Sequence, residues 1–281
     1  MALPHKIQMS HASVPLVHEV EIMDEAGRRK TTHIPGERPL TIYLDKREVV
    51  TLMTLGGAPE ALVLGYLRNQ RLVESPEDVQ SIQVDWETDS AAVITRRSTV
   101  DLEALTSKRV VTTGCGQGTM FGGLMEDMAQ IRLPDGPTLT QEAIVELIDA
   151  IRIQDTIYKK SGSVHACAVF ERCADKQVRL LYFIEDVGRH NAVDSISGLM
   201  WLDQRVGRDL VFFTTGRLTS EMVIKGVQMD IPFLLTRSGV TLMGLDLARK
   251  TNLTLLSRCS GKHFEIYNAP ERIIFSGAGA L

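Results

Sequence analysis

Aromatic residues are scarce in this chain, at 5% of 281 residues, and no apolar run approaches the roughly 20 residues that cross a bilayer as a helix. No continuous apolar stretch follows the opening Met-Ala-Leu-Pro-His-Lys, so no signal peptide is expected, and the expected location is cytoplasmic. Charge of one sign is also missing. The net charge is −4, and the most basic stretch, Arg28-Arg29-Lys30, lies beside Asp24 and Glu25. Charge-driven nucleic-acid binding needs a basic face, so neither nucleic acid nor a membrane is expected as a partner. Cysteines number four (115, 167, 173 and 259) and contain no Cys-x-x-Cys pair. A zinc knuckle and a disulfide framework are therefore not expected. No Gly-x-Ser-x-Gly elbow is present, which argues against a serine hydrolase. Neither an internal repeat nor a low-complexity segment is evident.

One of the four cysteines has an unusual setting. The stretch Val110-Val-Thr-Thr-Gly-Cys-Gly-Gln-Gly-Thr-Met-Phe-Gly-Gly123 runs from β-branched residues into Cys115, with glycines at 114, 116, 118, 122 and 123. Glycine permits backbone conformations closed to other residues and leaves a neighbouring side chain uncovered. Free cysteines usually behave as small buried hydrophobes, whereas Cys115 has the context of a presented, reactive thiol. Cys173 and Cys259 read as structural.

The apolar fraction of 44% and the length allow one large domain or two modest ones, each with its own core. About the first 17 residues read as polar and flexible. Strands are expected at 17–23, 29–34, 40–44, 81–86 and 91–97, with a helix over 60–71 entered through Pro59. Residues 114–138, with six glycines and two prolines, read as a long mobile break. Beyond it, helices are expected at 140–158, 189–204, 219–229 and 241–250. Strands are expected at 164–170, 179–185, 209–214, 233–236, 253–257 and 264–267. This alternation predicts an α/β layered domain on a largely parallel sheet. Three regions follow: a smaller β-rich domain over 1–113, the cysteine loop over 114–138, and the α/β domain over 139–281.

In such sheets ligands sit at the carboxyl ends of strands. Three turns there each combine an arginine with small polar residues. They are Glu185-Asp186-Val187-Gly188-Arg189-His190-Asn191 with Asp194 beyond, Thr214-Thr215-Gly216-Arg217-Leu218-Thr219-Ser220-Glu221, and Arg237-Ser238-Gly239. Together they suggest an anionic, phosphorylated ligand near Arg189, Arg217 and Arg237. Plainer readings stand beside this. Arg189 and Arg217 suit surface pairs with Asp186 and Glu221. A lone histidine such as His190 more often packs or caps than acts, and Asp194 suits an ordinary exposed carboxylate. Val164-His165-Ala166-Cys167 is similar to the His-x-Glu of zinc nucleobase deaminases, but lacks the glutamate and any Pro-Cys-x-x-Cys.

Five stretches together resemble the formate dehydrogenase accessory sulfurtransferase family (FdhD). They are Thr112-Thr-Gly-Cys-Gly116, Ser161-Gly-Ser-Val-His-Ala166, Glu185-Asp-Val-Gly-Arg-His-Asn-Ala-Val-Asp194, Thr215-Gly-Arg-Leu-Thr-Ser-Glu-Met222, and Phe264-Glu-Ile-Tyr267 with Arg272 beyond. The resemblance spans nearly the whole chain. It implies a sulfurtransferase that takes sulfur from a cysteine desulfurase as a persulfide on Cys115. The sulfur then passes to the molybdenum cofactor, bis-molybdopterin guanine dinucleotide, before its insertion into formate dehydrogenase. It also implies a cytidine-deaminase-like C-terminal fold, a homodimer, and binding of a GDP-like guanine nucleotide. The family's cofactor-binding stretch corresponds to Phe264, Glu265, Ile266, Tyr267, Asn268 and Ala269. The guanine dinucleotide supplies an occupant for the three turns, with Arg189, Arg217 and Arg237 facing phosphates and Asp194 or Asp186 receiving the guanine N–H groups. His165, Arg189 or His190 is expected to stabilise the thiolate. The sequence departs from the family where many members have a second loop cysteine: Gly118 stands there. Cys115 must then carry the sulfur alone, or the protein is a non-catalytic chaperone of the cofactor.

Overall fold

A computed structural model describes residues 6–96, 131–154, 156–173 and 177–276 in full, and the backbone of 109–111 and 119–121. Cys115 and Gly118 lie outside the described residues. Two principal sheets are joined by a pair of helices. The first sheet contains β1 (Gln8–Met9), β4 (Arg38–Leu44), β5 (Arg47–Thr54), β6 (Val79–Asp85) and β7 (Ser90–Thr95), in the order β1-β6-β7-β4-β5. Two further strands of this half, β2 (Val17–Met23) and β3 (Arg29–Pro35), pair among the described residues only with each other. Helix α1 (Pro59–Asn69) covers the first sheet. Its opening proline is preset for a helix start, and all of its residues except Arg68 are buried.

Two short strands, β8 (Arg109–Val111) and β9 (Thr119–Phe121), pair antiparallel, with Arg109 opposite Phe121 and Val111 opposite Thr119. They bracket Cys115 in the sequence. After them come β10 (Leu139–Thr140), α2 (Gln141–Ile153) and α3 (Ile157–Ser161). The second sheet is built from β11 (His165–Arg172), β12 (Val178–Asp186), β13 (Leu210–Thr214), β14 (Phe233–Thr236), β15 (Thr254–Ser260) and β16 (His263–Asn268). Its order is β12-β11-β13-β14-β15-β16. Helices α4 (Arg189–Leu202), α5 (Ser220–Gln228) and α6 (Leu242–Thr251) pack on one face, over Cys167, Phe212, Leu234 and Leu255. Helix α2 packs on the other face, over Ala168, Phe213 and Leu235. A last strand, β17 (Ile273–Ile274), pairs with β10. No helix among the described residues is long and apolar enough to cross a membrane.

Helices α1 and α4 meet at two glycines. A Cβ on Gly65 would lie 1.7 Å from the Asp194 carbonyl oxygen, and one on Gly198 would lie 2.0 Å from that of Ala61. The backbones therefore touch, and this contact holds the N-terminal half against the second sheet.

Several expectations need correction. The second sheet is mixed rather than largely parallel. Only β13–β14 and β14–β15 pair parallel, while β12, β11 and β16 run antiparallel to their neighbours. The early residues are held. Ile7 is buried, β1 pairs with β6, and Glu60 accepts from the Ser10 hydroxyl at 2.6 Å and the Ala12 amide at 2.7 Å. Strand β5 was not foreseen. Its hairpin turns on Asp45 (φ 46°) and Lys46 (φ 71°), a left-handed pair without the glycine that usually signals such turns. Asp45 tolerates it while accepting from the Thr95 amide and hydroxyl. The helix expected over 140–158 ends at Ile153 and restarts at Ile157, where Thr156 caps Lys159 and Glu185 takes the amides of Ile157 and Tyr158. The expected loop of 114–138 includes β9, and its far end is anchored. Leu133 is buried, and Arg272 donates to the Pro134 carbonyl at 2.7 Å.

The units β13–α5 and β14–α6 match at Thr214 and Thr236, Leu218 and Val240, and Thr219 and Thr241, all at one offset. Leu218 and Val240 form a parallel bridge that extends the pairing beyond the strands.

Candidate functional site

The sheet register gathers the chemistry at one edge. His165 opens β11 opposite Asp186, which closes β12, and Cys167 lies opposite Thr214, which closes β13. Thr214 in turn pairs with Thr236 at the end of β14. The three turns singled out in the sequence therefore share one corner. Buried threonine hydroxyls shape it. Thr214 Oγ1 accepts from the Gly216 amide at 3.1 Å, and Thr236 Oγ1 donates to the Gly216 carbonyl and accepts from the Ser238 amide at 2.9 Å. Arg189 lies against Gly216 so closely that a Cβ there would be 2.8 Å from its Cδ. Arg217 and Arg237 are exposed on their turns. Burial, together with Arg189 and Arg217, pulls the His165 imidazole below its ordinary range.

Side-chain alternation divides this corner between two faces. On the α2 face lies a cleft of about 280 Å³. Ile148, Phe183 and Phe213 form its floor, and Arg152, Lys159 and Arg237 stand on its rim with Tyr158, Thr215 and Ser260. Glu185 also faces the cleft, but its carboxylate is engaged by the two amides that open α3. The rim is thus cationic over an apolar floor, which suits a flat ring bearing a phosphate.

On the α4 face lies a buried polar network. Lys225, 2% exposed, donates to Asp194 at 2.9 Å and lies 3.7 Å from Glu221. Asn69 donates to the other Asp194 oxygen at 2.6 Å and accepts from Ser197. Asp186 accepts from the Thr54 hydroxyl, the Leu55 and Gly188 amides, and Asn191. Burial raises the pKa of Asp186, Asp194 and Glu221, and Lys225 opposes the rise in the latter two. Burial, with Lys225 and Arg189, drives His190 down to about 2.

These placements sort the expected residues. Arg189, His190, Arg217 and Arg237 converge on the strand-end edge. Asp194 does not reach it, because both of its oxygens are taken by Asn69 and Lys225. Asp186 is likewise occupied by protein donors, so neither carboxylate is free to read a guanine base in this geometry. The stretch Phe264–Ala269 follows the edge strand β16, antiparallel to β15, from one end of the sheet to the other. Phe264 and Ile266 pack on the α2 face, and Tyr267 donates to Glu265. Asn268 braces the Ala248 and Leu253 carbonyls, and Ala269 is buried with φ 55°. Cys167 and Cys259 are buried, and burial pushes both thiols up to about 12. Neither supplies a thiolate near neutral pH. Among the described residues, no three His, Cys, Asp or Glu side chains are grouped to hold a metal ion. Sequence reasoning missed Arg152, Tyr158 and Lys159 on the cleft, and Thr54, Asn69 and Lys225 in the network. The spacing of Glu221 and Lys225, four apart, was the one available signal.

Comparison with known proteins agrees with this architecture. The model of the FdhD/NarQ family matches residues 35–274. A sulfur carrier protein FdhD from Sulfurisphaera tokodaii is 28% identical over 265 residues, covering 93% of this chain and 99% of the relative. One of the same name from Halalkalibacterium halodurans is 27% identical over 257 residues, covering 91% and 93%. The crystal structure of a "putative formate dehydrogenase accessory protein" from Desulfotalea psychrophila matches with a TM-score of 0.72 and 25% identity, over 92% of this chain and all of that one. The extent of the family match, across both sheets and the strand-end corner, makes this chain a member of the FdhD/NarQ family.

Proposed function

We propose that this protein is a sulfur carrier for a molybdenum enzyme. Cys115 accepts the outer sulfur of a cysteine desulfurase persulfide. The Cys115 thiolate attacks that sulfur, a new S–S bond forms, and the desulfurase cysteine leaves as its thiolate. The sulfur then passes to bis-molybdopterin guanine dinucleotide, the substrate, before formate dehydrogenase receives it. The names of the relatives support the carrier role. The observation that carries the reading for this chain is the meeting of Arg189, Arg217 and Arg237 at one sheet edge, beside an apolar-floored cleft. The apolar floor suits a guanine ring, and Arg237 on the rim suits its pyrophosphate, while Lys159 is engaged by the Arg152 and Gln154 carbonyls and Arg152 by Asp149. GDP alone would use the same contacts. We further take 139–281 to be a cytidine-deaminase-like layered unit, 1–113 a β-rich unit and 114–138 the cysteine loop. The protein then acts as a homodimer in the cytoplasm.

A second reading, a non-catalytic cofactor chaperone, is favoured by Gly118. Activation of sulfur-deficient formate dehydrogenase separates the two. Under the carrier reading Cys115→Ser abolishes activation while GDP binding persists. Full activation by Cys115→Ser would establish the chaperone instead.

A further inference from the structure

Between α4 and α5, two buried polar atoms face each other with no other hydrogen-bond partner. His190 Nδ1 and Glu221 Oε1 are 3.2 Å apart, on side chains 11% and 6% exposed. The pair is close but poorly aligned, so each atom is unsatisfied. An unsatisfied buried polar atom is destabilising, because it has given up water without a replacement partner. A small ring rotation that joins these two satisfies both, with Lys225 Nζ a further 3.7 Å from the same Glu221 oxygen.

We propose that His190 and Glu221 form a carboxylate–imidazole dyad in which Nδ1–H donates to Glu221 and a bare Nε2 faces the strand-end corner as a hydrogen-bond acceptor. His190 is then the ligand-facing group and Glu221 its positioning residue.

The charges around the pair determine where the proton sits. Lys225 lies 3.7 Å from Glu221 and 2.9 Å from Asp194, and Arg189 also favours an ionised Glu221. Two cations and two carboxylates balance, which leaves the ring neutral. Burial above all, and then Lys225, Arg189 and His165, oppose a charged imidazole there. Asp186, on the neighbouring β12, is held by its own donors and is not a competing acceptor. With Nδ1 committed to Glu221, the neutral ring keeps its lone pair on Nε2. Among the described residues Nε2 has no hydrogen-bond partner, and His190 is 8% exposed. A carboxylate partner that orients a ring in this way also sets its tautomer and basicity. The chemistry presented is a neutral acceptor beside a guanidinium, which suits an anion bearing an adjacent N–H or S–H.

The ligand assignment rests on the sulfur-carrier reading, but the dyad itself does not. Long-range 15N NMR of the histidine-labelled full chain tests it without any ligand. The expected spectrum holds one neutral ring with Nδ1 protonated, unchanged from pH 8 to pH 5 and absent in His190→Gln. In Glu221→Gln the amide oxygen can still accept from Nδ1–H and the tautomer is kept, whereas Glu221→Leu removes the acceptor and releases the ring to the Nε2–H tautomer. An Nε2–H ring in the wild type, or one that titrates in the usual histidine range, overturns the dyad. If Glu221→Leu does not fold, the wild-type tautomer decides alone. Formate dehydrogenase activation supplies the second readout. Glu221→Leu should lose about 10–100-fold with Cys115 loading unchanged. Failure of wild type to load sulfur at all would sink the carrier reading and leave the dyad standing.

Discussion

Lys225 is the residue on which the buried charges depend. It is 2% exposed and compensates two carboxylates on two helices. Removing one member of a buried pair leaves the other charge uncompensated, so Lys225→Met should lose about 3–5 kcal/mol of stability. Urea unfolding measures it, and Lys225→Met with Asp194→Asn should lose less than the two single losses added. His190 gives a signed pH effect. Its folded pKa lies far below the unfolded value, so between them the unfolded chain binds more protons. Its contribution is therefore complete above about pH 6.5 and declines as pH falls, by at most about 1.4 kcal/mol per pH unit. The raised carboxylates Asp186, Asp194 and Glu221 act in the opposite sense, costing stability as pH rises out of the acid range. The difference between wild type and His190→Gln isolates the histidine. It should shrink from pH 7 to pH 5.5, and a difference that does not vary with pH would mean His190 takes up its proton as readily in the fold as in the unfolded chain. At this scale the sequence exposed Arg189, His190 and Arg217, because they cluster within two short motifs. It hid Lys225 and Asn69. One looks like half of a surface ion pair, and the other is 125 residues from its partner Asp194.

Among the elements, the α1–α4 crossing carries the clearest prediction. Gly65→Ala places a methyl inside the van der Waals radius of the Asp194 carbonyl, so the helices must separate. The expected loss is about 3 kcal/mol, read as a lower urea midpoint. Trp201, on α4, should report it by fluorescence. A neutral Gly65→Ala would mean the helices are not in backbone contact. Helix α6 offers a milder test. Thr241 caps the Gly244 amide at 3.2 Å, and Thr241→Ala should cost about 1 kcal/mol. The second half of the chain was legible in outline, since alternating apolar strands and amphipathic helices follow from periodicity. Three features were not. The Asp45-Lys46 turn has no glycine, Thr156 and Glu185 interrupt a helix whose apolar pattern continues, and strand direction follows from pairing rather than from local sequence.

For the molecule as a whole, the site edge belongs to both halves of the chain. Asp186 and Asn191 reach Thr54, Leu55 and the Met53 carbonyl at the end of β5, while α1 and α4 seal the same seam. Damage to the N-terminal sheet should therefore reach the strand-end corner. The β8–β9 pair brackets Cys115 in the sequence. The central claim is that this thiol carries sulfur. Intact-mass analysis after incubation with a cysteine desulfurase and cysteine tests it most directly, comparing wild type with Cys→Ala variants at 115, 167, 173 and 259. The account predicts the mass of one added sulfur atom on wild type and on the variants at 167, 173 and 259, and none on Cys115→Ala. The same increment on Cys115→Ala would contradict it.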